Sequence, residues 1–320
     1  MTPDTAPRFS AATPPALPHR RRLRQQSLMA RPVDISVIIP CRDAMEHLPD
    51  AIASVRTALD GAAFEIVAAD GGSSDGTQAF LKEAGVRIAG RSDNSIYDGL
   101  NKALAASSGQ YVLWLNADDR VEEPLRDLVA HALATDACLA TGEAAMIDAQ
   151  RTVWTSDHHR RRMDRASVLF GNPTINSRLV RRDLYERAGP FRTDVGLAGD
   201  REMVLRLLDH AVRRESFPHT VYSYGVHPLS RTMAGTWTSY AAVHEANLTL
   251  AAALRDAEYG TDDDAFTLIS AAAAARAHLF EGALSRALGR GAKAMGLALK
   301  PRILRRAAEA MKLRPLASGW

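Results

Sequence analysis

Two adjacent carboxylates, Asp118 and Asp119, follow a run of apolar residues, YVLWL, near the middle of the chain. The run predicts a buried strand, so the two carboxylates would stand where that strand ends. Like charges repel each other, and burial strengthens the repulsion. A divalent cation reverses the sign of the interaction, because hard cations such as Mg²⁺ bind carboxylates together with substrate phosphates. The pair therefore predicts either a metal site or an exposed acidic turn.

These residues need a scaffold, and the pattern along the first half of the chain predicts one. Predicted strands alternate with predicted helices, which indicates right-handed crossovers and a mostly parallel sheet. In such sheets ligands bind beyond the carboxyl ends of the strands, where polar loops would here line one crevice. The predicted strands are DISVIIP (34–40), FEIVAAD (64–70), VRIAG (86–90) and YVLWL (111–115). Helices are predicted near 48–59, 77–84, 96–109, 125–134 and 196–210, and a hairpin near 138–156.

Carboxylates at two further positions fit a nucleotide ligand. Asp70 would end the second strand, and the glycines Gly71 and Gly72 let the chain turn closely past a ligand. A carboxylate there can accept hydrogen bonds from a base N–H or a ribose hydroxyl, although aspartate is also common in turns. Asp98 and Lys102 are spaced i, i+4 on a predicted helix, which fits either a surface ion pair or a nucleotide contact.

The composition suits a globular protein, with 46% apolar and 24% charged residues. The formal net charge is only +3, and no nucleic-acid partner is expected. Cys41 and Cys138 lie far apart without metal-ligand spacing, which indicates a reducing compartment and no disulfide framework. The sequence contains no apolar run of about 18 residues, so no membrane-spanning helix is predicted.

Three stretches occur in this order along the chain: ISVIIP, DGGSSDGT and SDNSIYDGLNKALAASSGQYVLWLNADD. Together they resemble the family 2 glycosyltransferases of the GT-A fold, and most closely bacterial enzymes that build exopolysaccharides and surface glycans. The resemblance is strong from Asp34 to Val121 and looser as far as Leu208. It implies an α/β fold in which helices flank a mostly parallel sheet, and transfer of a sugar from a nucleoside diphosphate to a hydroxyl acceptor with inversion.

The same resemblance implies the cofactor and the partners. The cofactor would be a divalent metal, Mn²⁺ or Mg²⁺. A UDP-sugar is favoured as the donor, with guanosine and deoxythymidine donors as alternatives, and the acceptor would be a glycan or a lipid-linked acceptor.

The resemblance also assigns residues to the nucleotide sugar. Pro40 and Arg42 fall in the loop after the first strand, which touches the nucleobase in the family. Asp70 matches the aspartate that binds the base, and Asp98 in NSIYDGLNKA matches an acid near the nucleotide. The full set that the resemblance implies is Pro40, Arg42, Asp70, Gly71, Asp98, Lys102 and Asp118.

The family's D-x-D type metal motif matches Asn116 to Asp119, with Asn116 where aspartate is usual. An amide oxygen can still coordinate a metal, so the resemblance implies Asp118 as the main ligand with Asp119 in support. His227, in YGVHPLSR, matches a late histidine that completes the metal site in some relatives. A surface histidine in a proline-containing turn is the alternative for His227.

A carboxylate later in the chain is the expected catalytic base. The family usually has a Glu-Asp pair at the start of a late helix, and AGDREMVLRL matches it with Gly199 and Asp200. Asp200 would take the proton from the acceptor hydroxyl as its oxygen attacks the anomeric carbon. Any helix N-terminus favours a carboxylate electrostatically, so Asp200 also has a structural alternative. Glu202 is a second candidate for the base.

The two ends of the chain are expected to differ from the domain between them. We predict a disordered basic extension over 1–32, a GT-A domain over 33–240 and a helical, basic extension over 241–320. From Arg286 to Arg314, nine Lys or Arg stand against one acid, Glu309, with Leu, Ile and Met between them. This predicts either an amphipathic helix on an anionic membrane surface or a packing helix with a basic face. The expected location is the cytoplasm, peripherally on the inner face of the cell membrane.

Other classes of protein share parts of this pattern. A nucleotidyltransferase or a dinucleotide-binding oxidoreductase would have a glycine-rich loop directly after the first strand, and PCRDAMEHL contains no glycine. A non-catalytic protein that kept the fold is favoured by Asn116 and Gly199, because both depart from the family pattern.

Overall fold

The computed structural model describes residues 33–148, 151–156, 164–171, 174–227, 236–255 and 260–312. One compact unit, which begins at Val33, contains all of them. The predicted extension over 1–32 and most of the basic stretch around 157–165 lie outside the described residues.

The first half of the chain alternates strands and helices, as predicted. Its elements are β1 (Ile35–Cys41), α1 (Leu48–Ala58), β2 (Phe64–Asp70), α2 (Thr77–Glu83), β3 (Arg87–Gly90), α3 (Ile96–Ala106) and β4 (Tyr111–Trp114). β1 pairs in parallel with β2 on one side and with β4 on the other, and β3 pairs in parallel with β2. The order β3-β2-β1-β4 therefore puts the carboxyl ends of these strands at one edge of the sheet.

The second half extends this sheet with mixed pairing. Its elements are β5 (Arg120–Val121), α4 (Leu125–Thr135), β6 (Leu139–Asp148), β7 (Arg151–Thr155), α5 (Arg165–Phe170), β8 (Arg178–Arg181), α6 (Arg182–Ala188), α7 (Gly199–His210) and β9 (Arg214–Gly225). β8 runs antiparallel to β4 and β6, and the predicted hairpin forms between β6 and β7. β9 runs parallel to β6 and antiparallel to β5, which follows directly on Asp119.

The sequence does not predict β9. The strand reads RESFPHTVYSYG, with charges at its start and Pro218 in its interior, and both features argue against a strand. Its pairing with β6 passes from Ser216 to Thr220, so the proline lies at an irregularity of the ladder, where proline is tolerated. An irregular ladder thus allows this segment to reach the carboxyl edge of the sheet.

The core consists of two apolar layers, one on each side of the sheet. Every residue of β1 is buried. Ile35 and Val37 belong to one layer, which includes residues of α1 and α4, whereas Ile38 belongs to the other, which includes residues of α3 and α7. This alternation is the period-two geometry of a strand buried on both faces.

Helices make up the rest of the described chain. They are α8 (Trp237–Arg255), α9 (Thr261–Phe280), α10 (Leu284–Ala298) and α11 (Pro301–Lys312). Leu250 and Phe266 belong to the same apolar layer as α3 and α7, and the Phe266 ring meets the Phe170 ring of α5 edge-on at 6.4 Å. The boundary predicted near residue 240 thus falls within a shared core.

Within the described ranges, no helix is both long and apolar enough to cross a lipid bilayer.

Candidate active site

The loop after β4 carries two aspartates in contrasting environments. Asp119 is buried and accepts hydrogen bonds from the Tyr222 hydroxyl at 2.6 Å, the Gly225 N–H at 2.8 Å and the Asn116 amide at 2.8 Å. Burial, together with the charge of Asp118, raises the pKa of Asp119 to about 7. Because its oxygens already hold the loop against β9, Asp119 supports the neighbouring residues by positioning them rather than by pointing freely at a ligand.

Asp118 is partly exposed and meets His227. The Asp118 Oδ2 lies 3.0 Å from the His227 Nε2, and the two side chains are 35% and 22% exposed. The His47 ring tilts against the His227 ring with 5.0 Å between centroids. Residues 109 positions apart in the chain are thereby brought together at the carboxyl edge of the sheet.

Asn116, two residues before Asp118 in the same loop, supplies a third polar group. Its amide nitrogen donates to Asp119, which leaves the amide oxygen, and this Oδ1 atom is buried without a hydrogen-bond partner. A buried acceptor without a donor costs free energy unless a ligand satisfies it. Across the described residues, no three His, Cys, Asp or Glu side chains form a metal-holding group. Asn116, Asp118 and His227 nevertheless offer donors that suit Mn²⁺ or Mg²⁺, and substrate phosphates would have to complete the coordination.

Asp70 holds its own loop at the end of β2. Its carboxylate is buried and accepts hydrogen bonds from the Gly72 N–H at 3.2 Å, the Ser73 N–H at 3.1 Å and the Gln78 amide at 2.6 Å, and also from the Ser73 hydroxyl. This is the turn-forming role that the sequence leaves open. A nucleobase contact by Asp70 would have to displace one of these donors.

The loops after β1, β2 and β3 approach each other closely around Gly71. A Cβ atom at Gly71 would lie 3.0 Å from the Asp93 carboxylate and 3.3 Å from the Arg42 Cβ. Arg42 has an exposed side chain, 3.9 Å from Asp43, and can reach a ligand. Pro40, placed in this loop by the resemblance, lies within β1 and is buried.

Asp93 is a candidate binding residue that the sequence analysis misses. Its carboxylate fills the space next to two glycines, because a Cβ atom at Gly99 would lie 2.9 Å from the Asp93 Oδ2. Burial raises its pKa. The sequence does contain a signal, because glycine at positions 71 and 99 indicates that another group approaches the backbone closely there. Glycine alone does not indicate which side chain that group belongs to.

The spacing of Asp98 and Lys102 produces an ion pair, at 2.9 Å between the Asp98 Oδ2 and the Lys102 Nζ. The same carboxylate accepts from the Asn94 N–H at 3.0 Å, and the lysine also donates to the Ser92 carbonyl at 2.8 Å. These bonds lower the pKa of Asp98. The pair thus braces the loop between β3 and α3, and a nucleotide contact would be an additional role.

The expected base, Asp200, lies in the first turn of α7. Its backbone N–H donates to the Tyr97 hydroxyl at 3.3 Å, and its Oδ1 accepts from the Arg201 N–H at 2.6 Å. Burial raises the pKa of the Asp200 carboxyl. Burial, and then the charges of Asp119 and Asp200, raise the pKa of Tyr224.

The second candidate for the base is already engaged. Glu202 is buried and makes a bidentate pair with Arg206, with both nitrogen–oxygen distances at 2.7 Å. An ion pair of this kind holds the carboxylate away from a substrate proton. Asp200 is therefore the better placed of the two.

The packing around Gly199 explains why this position is glycine in this chain. A Cβ atom there would lie 2.6 to 2.9 Å from carbon atoms of the Tyr97 ring. That ring stacks on Phe191 at 6.2 Å and meets Trp114 edge-on at 6.3 Å, so it cannot move away easily. The larger residue that the family usually has at this position would collide with Tyr97.

We expect Gly199→Ala to destabilise the fold by about 1–3 kcal/mol, because an added methyl overpacks a filled site. Urea unfolding would measure the change. The matched control is Gly289→Ala on α10, where an added Cβ meets nothing within 4 Å and alanine should stabilise the helix by about 0.5–1 kcal/mol. Equally small changes in the free energy of unfolding for both variants would show that the Tyr97 ring can move to make room for a methyl group at position 199.

Comparison with known proteins identifies the family and the fold of the chain. The model of the family "Glycosyl transferase family 2" matches residues 36–202. A PGL/p-HBAD biosynthesis glycosyltransferase of Mycobacterium tuberculosis is 35% identical over 101 residues, which cover 30% of this chain and 39% of the relative. A TPR repeat-containing protein of Synechococcus elongatus is 33% identical over 95 residues, covering 29% of this chain and 23% of that protein. The match thus spans well under half of the length of these curated relatives.

Solved structures resemble the fold over most of the chain. The structure of S. aureus TarS 1–349 in complex with UDP-GlcNAc has a TM-score of 0.57 at 15% identity and covers 88% of this chain and 82% of that one. The mannosyltransferase PcManGT from Pyrobaculum calidifontis, in complex with GDP-Man and Mn²⁺, has a TM-score of 0.54 at 20% identity and covers 91% and 90%. At these identities the likeness concerns the fold, a GT-A fold with a helical C-terminal region.

Proposed function

Because the chain belongs to glycosyl transferase family 2, we propose that it moves a sugar from a nucleoside diphosphate donor to a hydroxyl acceptor. The observation that carries the proposal is the contact of Asp118 with His227 at the carboxyl edge of the sheet, in the loop that also holds the unpartnered Asn116 amide oxygen. This is the edge at which sheets of this kind bind ligands.

In the proposed reaction, the acceptor oxygen attacks the anomeric carbon as the bond from that carbon to the diphosphate breaks, so the configuration inverts. Asp200 takes the hydroxyl proton. Burial raises the pKa of Asp200, which makes its carboxylate a stronger base than an exposed aspartate. When bound, Mn²⁺ or Mg²⁺ would neutralise charge on the departing diphosphate, and Asn116, Asp118 and His227 are the residues that would hold it.

The nucleotide would lie over the loops after β1, β2 and β3. We propose that Arg42 and Asp93 contact it, since one side chain is exposed and the other lies between loops. Asp70, Gly71, Asp98 and Lys102 would shape these loops. A UDP-sugar is the favoured donor, and a guanosine donor stays a candidate because the two structural neighbours hold UDP-GlcNAc and GDP-Man.

For the acceptor we propose a glycan or a lipid-linked molecule, in bacterial polysaccharide or glycolipid synthesis. The reaction would take place in the cytoplasm, at the inner face of the cell membrane. The resemblance of the strand and loop stretches to bacterial surface-glycan enzymes supports this part of the proposal.

Calorimetric titration with UDP, GDP and dTDP, each with and without Mn²⁺, tests the proposal. We expect one nucleotide to bind with measurable heat, and more tightly when Mn²⁺ is present. Negligible heats in all of these titrations would contradict it.

A non-catalytic protein with this fold is the remaining alternative, which Asn116 and Gly199 favour on sequence grounds. Incubation of the protein with the nucleotide sugar that binds best, followed by detection of released nucleoside diphosphate, separates the two functions. The enzyme should release diphosphate slowly to water and faster with acceptor, whereas a scaffold protein should bind the donor without turnover.

A further inference from the structure

Helix α10 has an inverted arrangement of side-chain sizes. On α10, Ala287 and Ala294 are buried, whereas Leu288 and Met295 are 65% and 66% exposed. A helix that packs on a protein core normally buries its large apolar residues. The alanines of α10 instead face the protein, and most of its large apolar residues face outward, with Leu297 as the exception that packs against the core.

The outward residues form one continuous stripe on each helix. One side of α10, continued just after its end, carries Leu284, Leu288, Met295 and Leu299 at helical spacing. One side of α11 carries Leu304 and Met311 in the same way. We call these six residues the outer apolar face. Soluble surfaces seldom expose so many large apolar side chains together, and such a patch marks a docking site.

An aromatic pair formed between α8 and α9 also exposes apolar surface. The Trp237 and Phe280 rings stack at 4.3 Å between centroids, and their side chains are 39% and 60% exposed. Arg276 lies 5.8 Å from the Trp237 ring. Exposed tryptophan beside arginine suits the boundary between water and an apolar phase, because the indole is apolar with one polar N–H.

The charges around the outer apolar face are almost all positive. Glu309 is the one acid between Leu284 and Met311. The exposed bases there are Arg286, Lys293, Lys300, Arg302 and Arg305. Two further arginines point inward, where Arg290 pairs with Glu245 at 2.8 Å and Arg306 pairs with Asp262. The inward pairs fix the helices to α8 and α9, and the exposed bases add positive charge to the outside of these helices.

From this arrangement we propose that α10 and α11 bind the surface of an anionic lipid bilayer, with the outer apolar face among the acyl chains and the bases at the headgroups. Charge decides between a bilayer and a second copy of this chain. A two-fold dimer through this face would bring the same bases close together, which is repulsive. Anionic headgroups attract them instead.

Membrane binding by α10 and α11 does not depend on sugar transfer, but it would place the proposed reaction at the membrane surface. A protein held on the bilayer by α10 and α11 would meet a lipid-linked acceptor in two dimensions. The tether would therefore raise the local concentration of that acceptor.

Sedimentation of the full chain with vesicles tests the proposal, using phosphatidylcholine with phosphatidylglycerol beside phosphatidylcholine alone. We expect binding to the anionic vesicles that weakens as salt rises. The double variant Leu288→Glu/Met295→Glu should bind at least about tenfold more weakly, since each buried methylene contributes to membrane affinity. The control is Val212→Glu, because Val212 is 89% exposed and lies outside the face. It should bind as the unaltered chain does.

The variants are needed because HRRRLR at residues 19–24 can attract anionic lipid by itself. Circular dichroism would confirm that each variant folds. Equal binding by the double variant and the unaltered chain would overturn the proposal. So would a loss of self-association, rather than of lipid binding, in the double variant by light scattering, which would identify a second copy as the occupant.

Discussion

Replacing Asp118 by alanine should reduce sugar transfer by about 10²–10³-fold, because the metal proposed to bind here would stabilise charge on the leaving diphosphate by several kcal/mol. The carboxylate is partly exposed and meets His227 at 3.0 Å, so its loss removes a ligand without opening a core cavity. The measurement is the transfer rate as a function of Mn²⁺ concentration. The variant should require far more Mn²⁺ for half-maximal rate.

The control for this change is Asp60→Ala, which removes an exposed carboxylate just after α1. Its rate and Mn²⁺ dependence should match those of the unaltered chain. His227→Ala should shift the Mn²⁺ dependence in the same direction as Asp118→Ala, and a normal Mn²⁺ response in both variants would rule out a metal held by this pair.

Asp200→Asn should lower the turnover rate by about 10²–10⁴-fold, the usual contribution of general base catalysis. Nucleotide binding should be unchanged, because the role proposed for Asp200 concerns the acceptor proton. Asp209→Asn, at the exposed far end of α7, is the matched control and should leave the rate intact.

The same base predicts a pH dependence. A general base must be ionised, so activity should fall as the pH drops through the pKa of Asp200. Burial raises that pKa, and the fall should therefore begin at a higher pH than for an ordinary aspartate. The pH profile of kcat/KM measures it. An Asp200→Asn variant that keeps both the rate and the acid limb would falsify this assignment.

The first half of the fold could be predicted because its signals are local. A buried strand such as β1 is recognised by its run of apolar and β-branched residues. The Asp98–Lys102 ion pair is predicted by the i, i+4 spacing of the two residues on a helix. The alternation of strands and helices then predicts parallel pairing and the edge of the sheet at which Asp118 lies. These inferences need no contact between distant parts of the chain.

The details of the site depend on such distant contacts. Asp118 and Asp119 are the same residue type at adjacent positions, and only the approach of Tyr222 decides which of them is buried. The meaning of Gly199 depends likewise on the Tyr97 ring. Tertiary packing of this kind leaves no periodic trace in the sequence, and the proline within β9 argued against the strand that brings Tyr222 into place.

The late position of β9 has a consequence for how the protein is made. Asp119 and its partner Tyr222 are 103 residues apart, and the family match ends at residue 202, before β9 begins. A ribosome releases the Asn116–Asp119 loop long before the strand that fastens it. Contacts between residues so far apart in the chain form slowly during folding. Until they form, the incomplete chain exposes unpaired strand edges, which promote aggregation. A nascent chain that ends after α7 would thus carry almost every recognisable sequence motif and still lack the strand that holds the Asn116–Asp119 loop in place.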